Sequence, residues 1–217
     1  MKASNIVVLV ASTVALAGCS GLFRSHESVP AVYELRAAAV AAAPERVAAT
    51  LLVARPRARP GLDTDRIAVT LPDLRLDAYA GSRWSASLPL LVEALLIDSL
   101  RSSGGWQAVV PERSQFGGKY LLQTEIREFE ADYAGGTAAP IIRVRLRGEL
   151  GLVGERRLVA SAEGSATAVA AADRQREVVA AFQAAYAVAA AQLVVAIDAA
   201  ALAAERPGDG TAKEPAK

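Results

Sequence analysis

The 217 residues contain one cysteine, one histidine and one methionine. A single cysteine leaves no partner for an internal disulfide. A zinc site takes three or four clustered ligands, so a His/Cys metal centre is excluded. The one imidazole, His26, lies in a stretch without periodicity. A Ser-His-Asp triad needs its base held rigidly between nucleophile and acid, which such a stretch does not provide. Charge of one sign is missing too. Lysine and arginine number 24 against 23 acids, and Lys2 is the only charged residue before Cys19. A chain so balanced has no basic surplus to draw it to nucleic acid. No Gly-x-x-x-x-Gly-Lys-Ser/Thr run is present, so ATP is not bound through a P-loop. No catalytic, cofactor-binding or metal-binding residue is expected.

What the chain does have begins at its first residues. Lys2 supplies a positive start, and Ile6-Val7-Val8-Leu9-Val10 through Leu16 forms a short apolar run. The run is shorter than the ~20 residues needed to span a bilayer as a helix. It ends in Leu16-Ala17-Gly18-Cys19, which fits a lipobox at all four positions. This reads as a signal peptide over residues 1–18, cut before Cys19. The Cys19 sulfur then carries diacylglycerol, and two or more acyl chains hold a protein stably to a membrane. No other cofactor is expected. Ser20 follows the cysteine where, in the sorting pattern of Gram-negative lipoproteins, Asp favours the inner membrane. By resemblance to that pattern, Ser20 implies the outer membrane, on its periplasmic face. Residues 19–31 read as a lipidated tether, residues 32–205 as one folded domain, and residues 206–217 as a disordered tail.

Within the domain, two apolar periods alternate. Val32-Tyr33-Glu34-Leu35, Thr50–Val53, Arg66–Thr70 and Trp106–Val110 read as short strands, and Arg55–Gly61 as a breaker-rich loop. Ser85–Leu100 places Leu88, Leu91, Val92, Leu95, Leu96 and Leu100 at helical spacing, with Pro89 in the first turn, Ser85 or Ser87 as cap and Gly104-Gly105 as stop. Tyr120–Tyr133 is strand-like. Tyr120, Leu122 and Ile126 share one parity and Phe129 has the other, which predicts a bulge near Arg127. Ile142, Val144, Leu146, Leu150 and Leu152 alternate with Arg143, Arg145, Arg147 and Glu149, the period of a strand with one wet face. Arg156–Thr167 completes a meander. Arg174–Ala204 is a second long helix, capped by Asp173, with Val178, Phe182, Tyr186, Ala189, Leu193 and Ile197 in one stripe. The expected class is α+β, a mainly antiparallel sheet with two long helices packed on one face.

The chain also resembles the ABC-type transport auxiliary lipoproteins, the outer-membrane lipoprotein members of MCE and paraquat-inducible-type intermembrane lipid-transport systems. The resemblance rests on short matches in order. They are Tyr33-Glu34-Leu35, then Gly61-Leu62-Asp63-Thr64-Asp65-Arg66-Ile67-Ala68-Val69, Tyr79, Ser82-Arg83-Trp84, and Leu88-Pro89-x-Leu91. Tyr120-Leu121-Leu122 follows with Ile126 and Phe129, and then Val178–Phe182. Together they cover about Val32 to Leu202. The final helix departs from the pattern, with Ala196-Ile197-Asp198 where a tryptophan is expected. The resemblance implies a non-enzymatic lipoprotein that docks a periplasmic MCE-domain partner of an ABC lipid transporter at the outer membrane. A homo-oligomer is compatible with it. The rival reading is an assembly lipoprotein for an outer-membrane β-barrel, such as one for lipopolysaccharide export.

Three clusters are candidates for contact or chemistry. Tyr79, Arg83 and Trp84, read as a loop before the first helix, combine the residue types of a contact hot spot; the alternative packs Trp84 on the sheet. Arg143, Arg145 and Arg147 form a basic stripe for lipid headgroups or an acidic partner, unless Glu125, Glu128 and Glu130 on the adjoining strand balance it. Asp63, Asp65 and Arg66 read as turn caps rather than an acid pair.

Overall fold

The computed structural model describes residues 29–136 and 138–206. Cys19, Ser20 and His26, most of the tether and the tail beyond Arg206 lie outside the described residues, as does Thr137 of the turn before Ile142.

The longest strands form the expected meander. β7 (Tyr120–Asp132), β8 (Ile141–Leu152) and β9 (Arg157–Val169) pair antiparallel in sequence. Along β8 every second side chain is buried, from Ile142 to Leu152, as the alternation requires. The bulge falls where the parity breaks. Ile126 faces Leu146 and Glu128 faces Arg145, so Arg127 is the extra residue, and Phe129 returns to the buried face.

The other edge of β7 is different. β2 (Val47–Val53), β3 (Arg57–Ala58) and β4 (Arg66–Thr70) follow one another along it, all parallel. β6 (Trp106–Pro111) is parallel to β2, and β1 (Ala31–Tyr33) is parallel to β5 (Leu76–Trp84), which is antiparallel to β4. The fold is thus α+β, its sheet antiparallel in the longest pairings, with a parallel half that alternation cannot reveal. Two regions differ from expectation. The Arg55–Gly61 loop contains β3, and the Tyr79–Trp84 loop is the end of strand β5. Residues 79–82 of β5 face one residue of β4, an irregularity that Gly81 accommodates at φ +66°.

α1 (Leu88–Ser103) and α2 (Gln175–Glu205) touch each other, α1 resting on β6 and α2 on β8 and β9. Pro89 lies in the first turn of α1, and Gly104 stops the helix in the left-handed region at φ 69°. Ser87 precedes α1 but does not cap it with its side chain; its hydroxyl accepts from Arg55 Nη2 at 3.2 Å. Asp173 does not cap α2 either. Arg174 holds the cap position, and Asp173 accepts the Tyr133 hydroxyl instead. The predicted stripe of α2, Val178 through Ile197, is fully buried. Each such apolar side chain contributes roughly 1.5–3 kcal/mol on leaving water. Gly148 and Gly164 let the helix approach. A Cβ on Gly148 would stand 2.9 Å from Leu193 Cδ1, and one on Gly164 would overlap the Ala189 carbonyl.

Candidate functional site

The candidates on β5 separate because strand alternation sends them to different faces. Trp84 is 1% exposed. Its ring stands edge-on to Phe129 at 6.0 Å and to Phe182 at 5.3 Å, and those two rings stack at 5.3 Å. The packing alternative therefore describes Trp84, and its side chain belongs to the core rather than to a contact surface. Arg83 points the other way, half-exposed, with Nη1 3.3 Å from Asp65 Oδ2. Tyr79 is half-buried, and its hydroxyl is 2.7 Å from that of Tyr133, which donates to Asp173. Burial raises the pKa of Tyr79, and burial with the bond to Asp173 raises that of Tyr133, so both are neutral phenols at physiological pH. The chain Tyr79–Tyr133–Asp173 ties β5 to β7 and to the entry of α2. Asp63 lies beside Arg55 at 3.7 Å.

The arginine stripe sits on the face of the sheet opposite the helices, and register pairs it with acids. Arg143, Arg145 and Arg147 stand across from Glu130, Glu128 and Glu125 of β7. Arg145 keeps the acid opposite it, while Arg143 and Arg147 take others. Arg143 Nε reaches Asp132 at 2.7 Å, Arg145 Nε reaches Glu128 at 3.5 Å, and Arg147 Nη2 reaches Glu149 at 3.5 Å. Glu130 is taken by Arg59 at 3.1 Å, and Arg145 also approaches Glu163 of β9 at 3.9 Å. Burial opposes ionisation of Asp132, but the Ala134 N–H and Arg143 outweigh it and hold the carboxyl below its usual range. The face is a ladder of alternating sign, not a basic patch. Its half-exposed pairs each contribute little to stability, ~0–1 kcal/mol.

Sequence reasoning missed Glu93 altogether and marked Asp198 only as a departure from the family pattern, yet both acids are buried. Glu93 on α1 is buried and paired with Arg113, and its second oxygen has no hydrogen-bond partner among the described residues. Asp198 on α2, 4% exposed, accepts the indole N–H of Trp106 at 2.7 Å. Asp198 stands where the resemblance leads one to expect tryptophan, and the tryptophan it meets comes from β6 instead. The only sequence signal was one acid inside an otherwise uncharged run. Asp198 also floors a groove of about 360 Å³ between Ala41–Pro44 and the end of α2. Among the described residues no group of three His, Cys, Asp or Glu side chains is placed to hold a metal.

Burial pushes the Asp198 pKa up, against the lowering effect of Ser103 and Trp106. A raised native pKa has a definite sign. Its stabilising contribution is complete below the unfolded value, ~3.9, and is lost as pH rises through the native value. Asp198→Asn should therefore gain stability relative to the parent as pH rises above ~4. Urea unfolding of both proteins across that range checks this, and parallel curves would refute the buried-acid reading.

A family model described as the ABC-type transport auxiliary lipoprotein component matches residues 33–194. The Xanthomonas campestris protein XCC0632, of family DUF330, is 26% identical. The match covers 81% of this chain and 99% of that one, with a TM-score of 0.73. A hypothetical Chlamydia trachomatis protein, CT253, shares the fold at 11% identity and a TM-score of 0.50, covering 72% of this chain and 99% of its own. No curated protein matches the chain.

Proposed function

The chain belongs to the ABC-type transport auxiliary lipoprotein component family, and on that premise we propose that it is a non-enzymatic outer-membrane lipoprotein that docks the periplasmic MCE-type component of an ABC lipid-transport system. The observation that carries this reading is the family match over residues 33–194 behind Leu16-Ala17-Gly18-Cys19. A lipid on Cys19 holds the domain at the membrane, and Ser20 directs it outward. The domain offers a partner a sheet-and-helix body whose arginines on the exposed sheet face of β8 are paired with acids. Such a surface favours shape and register over bulk electrostatic attraction. Arg83 and Tyr79 remain contact candidates, with the ladder of Arg143, Arg145 and Arg147 as the second surface.

Capture from detergent-solubilised envelopes tests the reading. The tagged full chain should retain a protein with an MCE domain. Recovery of a large β-barrel in its place would favour the assembly-lipoprotein alternative and end the docking proposal. The anchor is tested separately. Cys19→Ala should abolish palmitate labelling and leave uncleaved precursor, because no second thiol is available to form the thioether. Label that survives the substitution would remove the anchor from the proposal.

A further inference from the structure

The β8–β9 hairpin leaves a hollow on the sheet face opposite the helices. Tyr120, Leu122, Leu150 and Leu152 are buried in the core, so strand alternation turns Leu121 and Gly151 outward. Leu52, Leu121, Gly151 and Leu158 stand in one row across β2, β7, β8 and β9. Gly151 has no side chain, which opens the row between Leu121 and Leu158. A bulge sets the pairing. The register slips after Leu150, which faces Ala160, so that Gly151 faces Leu158 and Val159 is the extra residue. The hollow measures about 330 Å³, with Leu121, Val153 and Leu158 as apolar walls. Leu158 is 58% exposed and Val153 44%. The backbone does not require glycine at its centre. Gly151 is not at positive φ, and a Cβ there would meet only Arg157 O at 3.4 Å.

Positive charge borders this space. Arg156 lines it, is exposed, and has no ion pair among the described residues. It holds φ 49° in the hairpin turn, a conformation that costs glycine or asparagine less. Arg157 lines the hollow too and is paired with Glu155 at 2.9 Å. The acid on the opposite rim, Glu149, already has Arg147 at 3.5 Å. Farther along β8 the arginines all meet acids, whereas here an apolar recess adjoins an unpaired cation. We propose that the hollow docks an extended peptide segment of a partner protein. A large apolar side chain of that segment, aromatic by preference, fills the space over Gly151, and an adjoining carboxylate meets Arg156.

Shape, charge and position select this occupant. A recess that takes one side chain, ringed by ordinary surface, is the form in which proteins receive an anchor residue. The free guanidinium beside it calls for a carboxylate, which it can bind through two parallel hydrogen bonds. Position separates a protein from a lipid surface. β1, where the chain enters the domain, pairs with the Trp84 end of β5, and β5 pairs with β4, which borders the Asp132 end of β7. The hollow lies at the Tyr120 end, across the length of the sheet from that entry. The inference rests on the docking reading in expecting a protein partner. It adds a surface and the chemistry of the segment that fits it.

The test uses the full lipidated chain in detergent micelles and a fluorescein-labelled peptide, Gly-Ser-Trp-Glu-Asp-Ser-Gly, followed by fluorescence anisotropy. The parent should bind it, and should not bind peptides with alanine for the tryptophan or lysine for both acids. Gly151→Leu fills the recess without backbone strain and should abolish binding. Arg156→Gly removes the guanidinium at a position that suits glycine and should weaken binding at least tenfold. Neither variant should lower the melting temperature, which separates loss of the site from loss of the fold. A parent that does not bind, equal binding by Gly151→Leu, or retention of the lysine peptide would each overturn the proposal. So would displacement of the peptide by phosphatidylglycerol added to the micelles, which would assign the hollow to lipid. Peptide binding needs no MCE domain, so failure here and failure of envelope capture are separate results.

Discussion

Trp84→Ala should lower the unfolding free energy by about 3–5 kcal/mol, which for a domain of this size is on the order of 10 °C in melting temperature. The indole is enclosed by Phe129 and Phe182, whose stacked rings would lose the edge they both pack against. The cavity would open where β5, β7 and α2 converge. Arg83, one residue earlier, should behave in the opposite way. Arg83→Ala removes a half-exposed pair with Asp65, which limits the cost to ~0–1 kcal/mol. Thermal melts of the two variants separate core from surface on adjacent residues. A Trp84→Ala protein melting with the parent would contradict the packing described. If β5 is the docking surface, Arg83→Ala should also weaken partner capture at an unchanged melting temperature. Unchanged capture would move the contact to the arginine ladder.

How far these features can be read from sequence depends on how local their causes are. β8 and the α2 stripe are visible because burial on one face imposes a period of two or 3.6 on the residues themselves. The bulge at Arg127 is visible for the same reason, as a break in that period. The direction of β2, β3 and β4 is not, because parallel and antiparallel strands show the same alternation. Gly81 is similarly opaque. It looks like the turn of a loop, but it absorbs an irregularity inside β5. The Asp173 cap failed because capping competes with any better partner, and the Tyr133 hydroxyl is one.

The candidate surfaces were legible to the same degree. Glu125, Glu128 and Glu130 could be named as balancing the arginines, since a meander must set β7 beside β8. Which acid each arginine takes could not. Arg143 goes to Asp132 and leaves Glu130 to Arg59, a residue outside the meander. Burial of Trp84 depends on α2, nearly a hundred residues later in the chain, so no local pattern announces it. Asp198 and its indole partner are likewise 92 residues apart.

Gly164→Ala should destabilise the protein by at least ~1–3 kcal/mol, although a glycine inside a strand is ordinarily a place where alanine helps. The reversal comes from what lies above. A methyl group on Gly164 would overlap the Ala189 carbonyl oxygen, with the carbonyl carbon 2.9 Å away and the Leu193 nitrogen 3.1 Å away. All three are backbone atoms of α2, so no side-chain rotation relieves the overlap and the helix itself must lift. Lifting it loosens the Leu193 contact over Gly148 and the Gln192 bond to Ser165. Two other glycines of the meander calibrate the effect. At Gly148 the nearest obstacle is Leu193 Cδ1 at 2.9 Å, the end of a flexible side chain, so alanine should cost less there. At Gly151 the nearest atom is Arg157 O at 3.4 Å, an ordinary contact, so alanine should be neutral or stabilise by up to ~1 kcal/mol. Urea unfolding of the three variants should rank them Gly151→Ala, Gly148→Ala, Gly164→Ala in decreasing stability. If Gly164→Ala matches or exceeds the parent, α2 does not rest on the β9 backbone at that point.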